Sequence, residues 1–192
     1  GLKNLEYRGY DSAGIATVFE KKIMRRRAEG KLVNLSNEVG KRPISGNLGI
    51  GHTRWATHGV PNEANAHPHA TDSVAAVHNG IIENFLFLKE ELLSLGYEFY
   101  SDTDSEAIVH LVSYYLDKGM STREAFSSSL ARLEGAYAIA LIFSSESEKI
   151  YGARSGSPLA VGWGDNEMFL GSDASALSNE TLKLSYLNEG DW

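Results

Sequence analysis

The 192 residues contain no cysteine, which excludes disulfide staples and thiolate–metal sites within them. Long hydrophobic runs are missing as well: no stretch approaches the roughly 18 consecutive apolar residues that a bilayer crossing needs. The opening GLKNLEYRGY lacks the apolar run of a signal peptide, so a cytoplasmic address without a membrane partner is expected. Positive charge is scarce. Against 25 Asp and Glu stand 18 Lys and Arg, a net charge of −7, which argues against a nucleic-acid surface. The only tight basic run, Arg25-Arg26-Arg27, fits a strand with charged edges, and alternation explains it as a solvated strand without an anion ligand. With no internal repeat or low-complexity segment, a chain of this length reads as one globular domain.

What is present separates into strands and helices. The middle is helical in pattern. Ile81, Phe85, Leu88, Leu92 and Leu95 recur at helical spacing until Gly96 stops the run. Thr103-x-x-Glu106 announces a second helix with a capping box, burying Ile108, Leu111, Val112, Tyr115 and Leu116 and ending at Gly119. Ser121-x-x-Glu124 opens a third, with Phe126, Leu130 and Leu133 on one face. Strands are predicted at 13–19, 22–28, 48–55 and 73–79 before these helices, and at 136–143, 149–154, 158–163 and 167–171 after them. Strands, then helices, then strands predict an α+β fold with antiparallel hairpins. Turn signals between the last strands predict a meander. The chain starts inside what reads as a helix and stops just past a strand.

Several constellations are candidates for chemistry. Residues 52–59 read HTRWATHG, too rich in large directional side chains for a mere connector. Arg54 offers the planar fork that grips a carboxylate bidentately, or it is a surface arginine with a solvent-side partner. Trp55 reads either as a lid on a small pocket or, by preference, as an anchor to the core. Asn79-Gly80 after VAAV is a hairpin signal, yet helical periodicity follows it. The alternative is an oxyanion hole, an amide and an unobstructed backbone N–H aimed at one developing charge. Asp104, at a helix start, is stabilised by the dipole or serves as counter-charge to a substrate ammonium. His52, His58, His67, His69 and His78 cluster in sequence, but no HExxH pattern or carboxylate at ligand spacing accompanies them, so no metal is expected. The crowded EYRGYDSAG (6–14) reads as a turn in which Arg8 and Asp11 can pair and Gly9 permits close approach.

Seven segments in order, LEYRGYDSAG (5–14), GHTRWATHG (51–59), NAHPH (65–69), VHNGIIEN (77–84), SDTDSEAI (101–108), LEGAYAI (133–139) and ARSGSPL (153–159), resemble the glutaminase domain of the N-terminal-nucleophile glutamine amidotransferases. They cover nearly the whole chain, and RGYDSAG with HTRWATHG favours the aminosugar-forming branch of that family. The resemblance implies a four-layer αββα sandwich spanning 1–192, two antiparallel sheets between helices. It implies L-glutamine as substrate, no cofactor, and ammonia passed to a C-terminal sugar-isomerase domain of the same polypeptide, the whole being a homodimer. Residue by residue it implies that Arg54 binds the substrate carboxylate and Asp104 its ammonium, while Asn79 and Gly80 form the oxyanion hole. Thr57 and His58 would line the glutamine pocket, Trp55 would sit on its closing loop, Arg8 and Gly9 beside the nucleophile, and His67 behind the site. The family's nucleophile is an N-terminal cysteine whose α-amine serves as base. That residue, the first strand and most of the first helix are expected to precede LEYRGYDSAG. Ser12 is no substitute, being internal and without a base.

Overall fold

A computed structural model describes residues 1–55 and 59–192. In chain order the elements are α1 (Leu2–Leu5), β1 (Ser12–Phe19), β2 (Lys22–Glu29), α2 (Leu32–Lys41), β3 (Leu48–Arg54), β4 (His69–Ala70) and β5 (Val74–Ile82). There follow α3 (Phe85–Ser94), α4 (Ser105–Asp117), α5 (Thr122–Leu130), β6 (Gly135–Phe143), β7 (Tyr151–Ser155), β8 (Ala160–Trp163), β9 (Met168–Gly171), α6 (Ala174–Leu177) and β10 (Leu184–Tyr186). Three antiparallel sheets result, in the orders β2-β1-β3, β4-β5-β6-β7 and β10-β8-β9.

The period of two along the strands builds the layers. Val74, Ala76 and Ile82 of β5, with Tyr137, Ile139, Leu141 and Phe143 of β6, meet Ile108, Leu111, Val112 and Phe126 from the helices. The alternate residues Ala75 and Ile142 face the other way, onto Ala16, Val18, Leu48 and Ile50 of the β2-β1-β3 sheet. Ala13 on the far side of that sheet is covered by Leu32 and Leu35 of α2. Helix, sheet, sheet, helix is the expected αββα sandwich. Each fully buried Leu or Ile contributes about 1.5–3 kcal/mol of transfer free energy to it.

The local expectations fare unevenly. Ser121 and Glu124 form the reciprocal capping box at the start of α5. The box expected at Thr103 and Glu106 does not form. The Glu106 carboxylate instead accepts from the Tyr100 and Ser101 backbone N–H groups and the Ser101 hydroxyl, while Thr103 Oγ1 bonds His69 Nε2 at 2.9 Å. The two N–H groups and one hydroxyl of Tyr100 and Ser101 outcompete the helix end for that carboxylate. Ile81 belongs to β5, which runs on to Ile82, because Gly80 lets the strand continue where periodicity suggested a helix. The last strands are not one meander: β7 pairs with β6, whereas β8 lies between β9 and β10 in a separate sheet. Helix α2 was not anticipated, although Leu32 and Leu35 sit on its buried face.

Arg25-Arg26-Arg27 is not a solvated stripe. Arg25 Nη1 donates to the Pro68 carbonyl at 3.1 Å, and Arg27 Nη1 to the carbonyls of Ala64 and Ala66 at 2.9 Å each. These guanidiniums satisfy carbonyls of a segment that has left the sheet. Burial pulls the Arg27 pKa down to about 10, with Arg25 adding repulsion.

Candidate active site

A cleft of about 2130 Å³ opens where the two stacked sheets meet the β10-β8-β9 sheet. Its walls include β3 from Leu48 to Arg54 and β9 from Met168 to Gly171, each an edge strand of its sheet. Of the residues singled out in the sequence, Arg8, Arg54, Trp55, His67, Asn79, Gly80 and Asp104 all line this cleft. Thr57 and His58 lie outside the described residues. Residues remote in sequence converge because β3 and β5 face each other across the sheets while α4 begins beside the end of β5.

Arg54 ends β3 and is only 4% exposed. Its Nη2 donates to the Gly59 carbonyl at 3.3 Å, and Nη1 lies 3.9 Å from Asp11 Oδ1. Burial lowers its pKa, opposed by the charges of Asp11 and Asp104. Asp104 is 5% exposed and stands at the N-cap position of α4, its side chain turned away from the helix N–H groups. Its Oδ2 accepts the Ile82 N–H at 2.8 Å. A buried guanidinium and a buried carboxylate therefore share one end of the cleft.

Asn79 and Gly80 line the same cleft on β5, opposite Ala138 and Tyr137 of β6. Gly80 adopts a φ of 129°, and a Cβ there would stand 2.0 Å from the Ala136 carbonyl oxygen. No other residue fits without moving β6. Gly9 is required by proximity alone: a Cβ would approach the Thr53 carbonyl oxygen to 2.7 Å. Arg8 meets Asp173 at 3.4 Å, and Asp11 sits beside Arg54, so the expected local pairing of Arg8 with Asp11 gives way to long-range partners. Trp55 is 60% exposed, its ring edge-on to Tyr10 at 5.6 Å. That overturns the preference for a core anchor. Ser12 is fully buried, its hydroxyl donating to Asp11 Oδ1 at 2.9 Å.

Four histidines cluster at the cleft, and His52, His67 and His78 line it. His52 and His67 rings lie 4.3 Å apart at 32°, and His67 meets His69 edge-on at 4.9 Å. His67 Nε2 and His78 Nδ1 share the Ser105 hydroxyl at 2.8 and 2.9 Å, and His52 Nε2 lies 2.7 Å from Asn79 Oδ1. Burial pushes all four pKa values down, to about 4 for His52 and His78 and about 3 for His69. The rings are neutral at pH 7. Only His67 was singled out as a supporting residue from the sequence. The signal for the rest was present: GHTR, HPH and VHN each place a histidine on an alternating segment, with its face unspecified until the sheets pack.

A family model described as a glutamine amidotransferase domain matches residues 52–179, and the chain belongs to that family. It is 59% identical over 191 residues to glutamine–fructose-6-phosphate aminotransferase (isomerizing) of Mesorhizobium japonicum, and 55% identical over 192 to that of Bartonella quintana. Each match covers 100% of this chain and 32% of the relative, so the chain spans about a third of the length of these curated relatives. Among solved structures, glutamine phosphoribosylpyrophosphate amidotransferase from B. subtilis, complexed with ADP and GMP, superposes with a TM-score of 0.78 at 25% identity. That superposition covers 98% of this chain and 41% of the other.

Proposed function

We propose that this chain is the glutamine-hydrolysing part of a larger enzyme that converts fructose 6-phosphate to glucosamine 6-phosphate. The observation that carries the reading is that buried Arg54 and buried Asp104 line one cleft together with Asn79 and Gly80. A free amino acid presents a carboxylate and an ammonium that need opposite partners. Arg54 takes the carboxylate through its fork, Asp104 takes the ammonium, and the side-chain amide carbonyl then reaches Asn79 Nδ2 and the Gly80 N–H.

In this reading the nucleophile is the thiol of a cysteine at the mature N-terminus, carried on a strand that enters between the free edge of β3 and that of β9. Such a strand would join the β2-β1-β3 and β9-β8-β10 sheets and satisfy both edges. The thiol attacks the amide carbon, and its proton passes by way of the α-amine to the leaving ammonia. Water then releases glutamate from the thioester. Trp55, with Thr57 and His58, belongs to the loop that closes over glutamine. Arg8 and Gly9 flank the nucleophile. The ammonia goes to an isomerase part of the same polypeptide, and the whole works in the cytoplasm as a homodimer.

The test is glutamine turnover by the full-length protein beside its Arg54→Ala variant. Loss of a buried charge partner costs about 2–5 kcal/mol, so KM for glutamine is expected to rise about 100-fold with kcat much less affected. Glutamine binding without turnover in the wild type would mark a non-catalytic receptor, and an unchanged KM in the variant would remove Arg54 from the carboxylate site.

A further inference from the structure

An oxyanion hole built from an asparagine poses a problem that one built from backbone N–H groups does not. The amide plane has two ends of opposite polarity. Turned by 180°, Asn79 would present Oδ1 to the developing oxyanion and repel it. Some group must hold the amide the right way round.

We propose that His52 is the positioning residue that does so: its Nε2–H donates to Asn79 Oδ1 and thereby turns Asn79 Nδ2 toward the reacting carbonyl. The inference rests on the glutaminase reading above. Three observations carry it. The contact is short, 2.7 Å from Nε2 to Oδ1. The other ring nitrogen, Nδ1, is buried with no hydrogen-bond partner among the described residues. A buried N–H without an acceptor is rarer and costlier than a buried lone pair without a donor, so the proton belongs on Nε2. Finally, the ring cannot swing away. It stacks on His67 at 4.3 Å, His67 is held by the Ser105 hydroxyl at 2.8 Å, and Ser105 lies 3.3 Å from Asp104 Oδ1. A line of contacts thus runs from the start of α4 to the amide.

The role is distinct from that of a general base. His52 touches no reacting atom, and its action is confined to the direction of one amide. The test uses full-length enzyme and separates that role from mere support of the fold. In glutamine, Nε2 occupies the place of histidine Nε2, so His52→Gln retains a donor for Oδ1. In asparagine the amide nitrogen reaches only the place of Nδ1, so His52→Asn does not. We expect His52→Gln to keep kcat within about fivefold of wild type, whereas His52→Asn and His52→Phe lower it by about 10- to 100-fold with KM for glutamine unchanged, short of the full loss of an oxyanion donor. In an Asn79→Ala background, His52→Asn should cost nothing further, since there is no amide left to orient. An equal loss in both backgrounds, a failure of glutamine to restore turnover, or a rise in KM at constant kcat would each overturn the proposal. Should His52→Phe fail to fold, the Gln and Asn pair still decides. A wild-type enzyme without glutamine turnover would overturn the glutaminase reading itself, and this inference with it.

Discussion

Acid should loosen this domain by an amount that can be worked out from three side chains. His67, His69 and His78 are each no more than 5% exposed, and burial holds their folded-state pKa values well below the ordinary 6.5, to about 3 for His69 and about 4 for His78. In the unfolded chain each takes up a proton near pH 6.5; in the folded chain none does until well below pH 5. Stability is therefore full above pH 7 and falls as the pH drops from 6.5 toward 4. Because the folded state stays unprotonated at pH 5, the loss there equals proton binding by the unfolded chain, which adds from residue to residue. For each histidine it comes to about 2 kcal/mol between pH 7 and pH 5, or about 6 kcal/mol for the three. That is comparable with the whole stability of an ordinary domain. Carboxylates add little over this range, since those of the unfolded chain remain ionised at pH 5. Hydrogen exchange of peptides covering β5 and β6 in the full-length protein, corrected for intrinsic rates, measures the opening free energy at both pH values. The expected drop is at least about 6 kcal/mol, to which the less deeply buried His52 adds, and His78→Gln should shrink it by about 2 kcal/mol whatever it does at pH 7. Equal opening free energies at pH 5 and pH 7 would refute the reasoning.

Two further outcomes are expected. Gly80→Ala sets a Cβ 2.0 Å from the Ala136 carbonyl oxygen at a φ of 129°, and strain with overpacking should destabilise the domain by about 3–5 kcal/mol, read as lost hydrogen-exchange protection in β5 and β6. Glu106→Gln replaces a carboxylate that accepts from the Tyr100 and Ser101 backbone N–H groups. Since an amide offers one acceptor where two were used, a loss of about 1–3 kcal/mol is expected, and unchanged thermal unfolding would count against that network.

The layers were legible in the sequence because they depend on period alone. Val74, Ala76 and His78 alternate with Ala75, Val77 and Asn79, so period alone gives two opposite faces, and packing decides which one meets the helices. The site was legible only in part. Arg54, Asn79, Gly80 and Asp104 stand out by chemical type, and the structure brings all four to one cleft. The histidine stack did not emerge, since four rings from β3, β4, β5 and the turn before β4 come together only through tertiary packing. Trp55 misled because tryptophan usually packs inward, whereas here it stands on the rim. Glu106 misled because two equally local sets of donors compete for its carboxylate, and the Tyr100–Ser101 backbone, five and six residues back, takes it.

The arginines of β2 carry a consequence for how small molecules approach. Arg25 and Arg27 spend their donors on carbonyls of residues 64–68, while Arg26 between them bonds the exposed Arg42 and Pro43 carbonyls. The chain as a whole carries a formal charge of −7. Free glutamine is neutral overall and approaches such a field without penalty, while a sugar phosphate is repelled. In the proposed reaction, nitrogen donor and phosphorylated acceptor would thus be sorted by charge before either reached a pocket.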